Sequence, residues 1–232
     1  LKYVRYADYF LIGVIGSLED CKTVKEDIKN YLKEALKLEL SDEKTLITNA
    51  QKPAKFLGFD IFIRRSNDLR KDINGKTIRS LGHVPVLYLN YETMRKKLFD
   101  YKAARIAVEN GKEIWKSIVR TYMIDLDDLE IVSQFNAEIR GFYNYYSIAN
   151  NSPAINSFYH IMSYSMYKTF ARKYKSSVKK ILFQYKKDGT FKVAYENSKG
   201  KTLYQSFYHD GFKRKKIAGA TSCDTIPRTV TI

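Results

Sequence analysis

The sequence predicts an α+β chain, with strands and hairpins concentrated before residue 90 and helices dominating after it. Three observations carry this expectation. Residues 2–15 alternate, break at Asp8-Tyr9 and resume as an apolar run, which is the pattern of a hairpin. From Asn90 onward, apolar residues recur every three or four positions, which is the pattern of helices. Turn formers at Pro53, Asn74-Gly75 and Asn197-Ser198-Lys199-Gly200 punctuate the segments.

Taken in order, Tyr3-Val4-Arg5-Tyr6 and Phe10-Leu11-Ile12 form the first hairpin. Ser17 can cap the helix that follows, with Asp20 three residues on completing a variant capping box. Val24, Ile28, Leu32 and Leu36 give that helix one face to bury. A short strand is expected at Leu46-Ile47-Thr48, ended by Pro53. Residues 56–65 read as a second strand or hairpin, and 66–84 as a flexible loop or small hairpin. Asn90 can cap a helix carrying Met94, Leu98 and Tyr101, and a second helical stretch is expected around Ile114, Ile118 and Tyr122. Asp125 can cap a third, striped by Leu129, Val132, Phe135, Ile139 and Phe142. Asn151-Ser152-Pro153 opens the next, because proline suits the first helical position. Residues 154–186 then read as one long helix or two broken ones, with Phe158, Ile161, Met162 and Phe170 in the core. Residues 191–195 and 202–205 flank a hairpin turn, and 217–232 are expected to be a disordered tail.

The chain carries 41 basic and 25 acidic residues in 232, a net charge of +16. The excess is not spread evenly. Residues 1–90 hold 16 basic and 12 acidic side chains, residues 91–167 hold 9 of each, and residues 168–232 hold 16 against 4. Coding bias toward lysine would distribute it uniformly; a surface that binds a polyanion concentrates it. Nucleic acid is therefore the expected partner, ahead of an anionic membrane. No apolar run approaches the roughly 18 residues of a membrane span. Cys21 and Cys223 lie too far apart in sequence to suggest a disulfide framework, which points to a reducing, cytoplasmic setting. Leu1-Lys2-Tyr3-Val4-Arg5 reads as the start of a strand and not as a leader, so the chain is expected to begin mid-domain. His83, His160 and His209 are scattered, and no Cys/His pair has metal-binding spacing.

Tyr6-Ala7-Asp8-Tyr9 sits between two apolar strands. A carboxylate at such a tip is rigidly backed yet exposed, which suits Mg²⁺, a hard ion that prefers oxygen ligands. At this hairpin the sequence resembles the reverse transcriptase family, whose palm carries Tyr-x-Asp-Asp. Tyr3 through Asp8 and Phe10-Leu11-Ile12-Gly13 are similar to the group II intron subfamily. The likeness continues in order. Leu40-Ser41-Asp42-Glu43-Lys44-Thr45 is similar to the next palm motif, and Phe56-Leu57-Gly58-Phe59-Asp60-Ile61 to the primer-grip hairpin. Residues 135–146, running from Phe135-Asn136 to Tyr145-Tyr146, are similar to the maturase region, domain X.

The resemblance implies a palm remnant at 1–65, a loop and mainly helical thumb at 66–130 and a mainly helical maturase domain at 131–216. It implies group II intron RNA as partner, with a template–primer duplex as a second candidate. It makes Asp8 the one metal ligand of the usual three in this chain. Tyr9 stands at the second aspartate's position, and the first aspartate is expected upstream of Leu1. A phenol, with its pKa near 10, is a poor Mg²⁺ ligand at neutral pH. The chain by itself is therefore expected not to polymerise DNA, and no zinc-dependent endonuclease segment is expected.

The residues expected to meet RNA are Arg140, Tyr145, Tyr146, Lys168, Arg172, Lys173, Lys175, Lys179, Lys180, Lys186 and Lys187. Spacing puts Lys168, Arg172 and Lys175 on adjacent turns of one helix face, with Lys179 continuing it. Such cations neutralise phosphates and release counterions; tyrosines stack on unpaired bases or bond a 2′-hydroxyl. Lys213-Arg214-Lys215-Lys216 reads as a flexible phosphate-binding tail. Three readings follow: a maturase assisting group II intron splicing, the C-terminal part of an active RNA-directed DNA polymerase requiring Mg²⁺, or an inactive gene fragment.

Overall fold

The computed structural model describes residues 2–65, 69–79 and 84–216. Helices and strands are mixed, as the α+β expectation requires. The expected tail at 217–232 lies outside the described residues. The chain divides into two compact units between Leu87 and Tyr88.

The first unit opens with strands β1 (Lys2–Tyr6) and β2 (Tyr9–Gly13), paired so that Tyr6 faces Tyr9 across a two-residue turn. Ser17 caps helix α1 (Leu18–Ala35). Asp20 N–H donates to Ser17 Oγ at 3.1 Å and Ser17 N–H to Asp20 Oδ2 at 2.6 Å, so the expected capping box forms. The apolar stripe on α1 is only half-buried, and Leu36 beyond it is exposed. No strand forms at Leu46-Ile47-Thr48. Leu46 and Ile47 are exposed, and the chain turns at Asn49, whose side chain accepts from Gln51 N–H. Strands β3 (Ala54–Phe56) and β4 (Phe59–Arg64) make the second hairpin. β5 (Leu69–Lys71) and β6 (Thr77–Arg79) make a small one, so the polar stretch is in part a hairpin. β7 (Val84–Leu89) joins the sheet in the order β3-β4-β7. Phe59 and Val86 are the only buried apolar residues described in this unit.

The second unit has the larger core. Asn90 caps α2 (Tyr91–Asp100), which buries Met94 and Leu98. The next segment differs from expectation: β8 (Ala104–Glu109) and β9 (Lys112–Ser117) form a hairpin where a helix around Ile114 is predicted. Asn110 and Gly111 turn it with φ of +52° and +73°, the two positive values that a type I′ turn needs. That turn and the β-branched residues flanking it outweigh the helical spacing of Ile114 and Ile118.

Helix α3 (Asp128–Tyr146) starts two residues later than Asp125 predicts. Asp127 is its cap, because Glu130 stands at the third helical position and accepts from Asp127 N–H. Helices α4 (Ile155–Lys173) and α5 (Val178–Tyr185) realise the broken alternative. Strands β10 (Lys186–Lys187), β11 (Thr190–Glu196) and β12 (Thr202–Ser206) follow as one antiparallel sheet.

Phe135, Ile139, Phe158, Met162 and Phe170 are fully buried; Ile161 is half-buried. Phe142 of α3 stacks on Phe158 of α4 with ring centroids 4.3 Å apart. Asn136 joins α3 to the end of β12: its amide donates to Ser206 O at 2.9 Å and accepts from Tyr208 N–H at 2.8 Å. No helix among the described residues is long and apolar enough to cross a membrane.

Candidate nucleic-acid interface

The basic side chains of the second unit separate into those spent on structure and those left exposed. Arg120 belongs to the first group. It is 1% exposed, 2.7 Å from Glu138 Oε2, and its guanidinium lies 4.1 Å from the centre of the Phe135 ring. Lys168 donates to Ser117 O at 2.7 Å and is half-buried. Lys173 donates to Leu126 O and to Asp128 Oδ1, at 2.6 and 2.7 Å. Asp128 also accepts from the hydroxyls of Tyr174 and Tyr185, at 2.7 and 2.8 Å. Lys173 is therefore one arm of a clasp that holds the start of α3 to the end of α4 and α5. Lys168 and Lys173 were expected at RNA; both are engaged inside the fold.

Tyr146 was expected there too, but it is 7% exposed, with Phe142 4.8 Å away on one side and Tyr145 4.8 Å away on another. Burial pushes its phenol up to about 12. Tyr167, Tyr174, Tyr185 and Tyr208 are raised as well, with burial the first cause in each. These phenols stay neutral in the folded unit at physiological pH.

The second group is exposed. Arg140 and Tyr145 lie on α3 and Arg172 on α4. Lys175 stands in the turn after α4 with φ of +45°, so the single helix face expected through Lys175 and Lys179 is broken there. Lys179 and Lys180 fill the first turn of α5, and Lys186 and Lys187 form β10. Lys187 Nζ lies 5.3 Å over the Tyr204 ring. Lysines in a helix's first turn face the positive end of its dipole and cost stability. No acidic residue offsets them in that turn of α5. Their placement suits an arriving anion better than it suits the helix.

Sequence reasoning missed two features here. Phe183 is 92% exposed on α5, four residues from Lys179 and from Lys187. One turn of α5 sets the bare ring of Phe183 beside Lys179, while Lys187 follows in β10; an aromatic ring beside a cation is an arrangement that stacks an unpaired base next to its phosphate. The Lys-spaced pattern on either side of Phe183 carried the signal. The second is Gly141, next to Arg140 on the exposed side of α3. A Cβ built there meets nothing within 4 Å. A mid-helix glycine costs about 1 kcal/mol against alanine, and this one leaves the helix backbone open to close approach.

Lys213 to Lys216 are not a free tail. Lys215 N–H donates to Ser147 O at 2.8 Å, Tyr143 Oη to Lys213 O at 2.7 Å, and Arg214 Nε to Ile148 O at 3.1 Å. These bonds strap the segment across the end of α3, because a nearby run of carbonyls and a phenol compete successfully with water for its backbone.

In the first unit, Asp8 is exposed at the β1–β2 turn beside Ala7, whose φ is +51°. Arg5 Nε donates to Ala7 O at 2.7 Å and holds the turn. Among the described residues, no three His, Cys, Asp or Glu side chains come together to hold a metal. One turn carboxylate with Tyr9 beside it does not fit a two-ion magnesium centre, which needs several converging carboxylates.

The model of the type II intron maturase family matches residues 90–220. The chain is 42% identical over 202 residues to the group II intron-encoded protein LtrA of Lactococcus lactis subsp. cremoris, covering 87% of this chain and 33% of that protein. It is 37% identical over 187 residues to the putative COX1/OXI3 intron 1 protein of Saccharomyces cerevisiae, covering 75% of this chain and 21% of that protein. To the putative COX1/OXI3 intron 2 protein of the same yeast it is 31% identical over 193 residues. The chain spans about a third or less of the length of these curated relatives.

Proposed function

The chain belongs to the type II intron maturase family, and from that premise we propose that it binds folded group II intron RNA and stabilises its splicing-competent conformer. The observation that carries this reading is the set of exposed cations around α5: Arg172, Lys175, Lys179, Lys180, Lys186 and Lys187. None of them has an ion-pair partner among the described residues. Arg140 and Tyr145 extend the surface along α3.

The protein acts by differential binding. A ligand shifts an RNA's conformational equilibrium only by as much as it prefers one conformer. Cations fixed on short, well-packed elements match one arrangement of phosphates and mismatch others. The RNA carries out its own transesterification. Residues 131–216 supply the maturase surface in this reading, 66–130 the thumb and 1–65 a piece of a polymerase palm whose turn aspartate, Asp8, is vestigial.

The test is RNA affinity against salt. Lys175→Glu, Lys179→Glu and Lys186→Glu together should weaken binding to an intron transcript and flatten the salt dependence, since each neutralised phosphate steepens it. Lys173 is left intact because its ammonium holds Asp128. Affinity and slope unchanged in the triple variant would remove the basis of the proposal.

A further inference from the structure

An open groove of about 500 Å³ lies in the second unit, between β9 and the start of α4. It is apart from the basic surface, in the stretch 91–167 where basic and acidic residues balance at 9 each. Tyr91 and Trp115 line it, stacked with ring centroids 4.1 Å apart and planes at 27°. Tyr91 is 53% exposed, so the stack ends on an open ring. Glu113, Asn156, Ser157 and His160 complete the polar lining.

Two of the polar groups, Glu113 and Asn156, offer an acceptor. Glu113 is fixed through one oxygen, which takes Trp115 Nε1–H at 3.0 Å and lies 2.9 Å from Arg95 Nε. Its other oxygen has no hydrogen-bond partner among the described residues. Asn156 spends its amide N–H on Pro153 O at 2.9 Å, which leaves its Oδ1 to accept. Two acceptors beside an aromatic stack suit a flat ring with an exocyclic amine. Arg95 bridges Glu113 and Glu92, at 2.9 and 3.3 Å, so it offsets the Glu113 charge only in part.

We propose that this groove takes one unpaired adenine of the bound RNA. The base extends the Tyr91–Trp115 stack and gives its exocyclic amine to the Glu113 or Asn156 acceptor. Uracil has less ring to stack, and its one donor, the N3–H, is flanked by two carbonyl oxygens that repel a carboxylate or amide oxygen. The proposal rests on the RNA-binding reading and adds a base-specific site to a surface that otherwise reads phosphates.

Trp115 is the chain's single tryptophan, so its emission reports on this groove alone. The full chain is titrated with adenosine 5′-monophosphate and, separately, uridine 5′-monophosphate. The adenine nucleotide should quench Trp115 saturably and the uridine nucleotide several-fold less well. Ser157→Phe, at an exposed helix position, should fill the groove and weaken the adenine nucleotide about tenfold, within the range of one lost base stack. Tyr91→Ala should weaken it too, and circular dichroism checks that both variants are folded. Unchanged Trp115 emission with the adenine nucleotide, or a Ser157→Phe variant titrating like the parent, overturns the groove. An intron transcript is titrated in parallel. Salt-sensitive RNA binding without nucleotide quenching sinks the groove alone, and no RNA binding at low salt sinks both readings.

Discussion

A buried guanidinium gives up its water, and only close partners offset that cost. Arg120 has Glu138 at 2.7 Å, the Phe135 ring at 4.1 Å and the Met162 sulfur at 3.5 Å. Removing the carboxylate leaves the cation stranded in the core between α3 and α4. Glu138→Ala should therefore destabilise the chain by about 3–5 kcal/mol, the range for breaking one side of a buried pair. A fall in the urea midpoint measures it. Arg120→Met combined with Glu138→Ala should recover part of the loss, and a single variant as stable as the parent contradicts the account. Phe183 is the opposite case: at 92% exposure it contributes nothing to the core. Phe183→Ala should leave the urea midpoint unchanged and lower RNA affinity by about 1–3 kcal/mol. Its salt slope should match the parent's, because no phosphate contact is lost. A lysine variant flattens the slope; an aromatic variant does not, and that contrast separates stacking from charge. A Phe183→Ala variant binding RNA as tightly as the parent would show that the ring is not used.

At the scale of elements, the β8–β9 hairpin decides how β9 meets the groove and α4. Gly111 takes φ of +73° with open space around its Cα. An added methyl group meets no neighbour, so the penalty is backbone strain alone, about 1–2 kcal/mol for a side chain forced into the left-handed region. Gly111→Ala should lower the urea midpoint and shift Trp115 emission, while Asn110→Gly should be tolerated. Equal stability for Gly111→Ala would mean that the turn is not held in the type I′ form. This hairpin also shows what the sequence made legible. Helices α1, α2 and α4 with α5 were readable, because caps and apolar spacing are local and the structure uses them as local rules predict. Asn110-Gly111 and Asp188-Gly189 are equally local hairpin signals, and both turns carry the paired positive φ values. Helical spacing at Ile114 and Ile118 competed with the first and misled. The half-buried stripe of α1 was not readable, since burial depends on what other elements cover it.

For the whole chain, charge asymmetry was legible because composition needs no geometry: an excess of cations after residue 168 survives any folding. Which cations are free was not. Lys168, Lys173 and Arg120 find partners 51, 45 and 18 residues away or nearby in space, at Ser117, Asp128 and Glu138, and no periodicity announces such pairs. The tyrosines follow the same logic and set the molecule's response to alkali. Burial raises the phenols of Tyr146, Tyr167 and Tyr208 from 10 to about 12. In the unfolded chain these groups lose their protons near pH 10; in the folded unit they keep them to about pH 12. Between those values the native state binds more protons than the unfolded state, so stability falls as pH rises. Below pH 10 their contribution is complete and flat with pH. The urea midpoint should thus hold steady up to about pH 9 and fall steeply above pH 10. Phenolate absorbance should rise in two stages, exposed tyrosines first and the buried set together with unfolding. Tyr208→Phe removes one of the ionising groups, and should shift the alkaline transition upward if the loss of the hydrogen bond to Gly211 O is corrected for at neutral pH. A midpoint that does not change between pH 9 and 12 would show that these rings are open to water and that α3, α4 and the β11–β12 hairpin do not close over them.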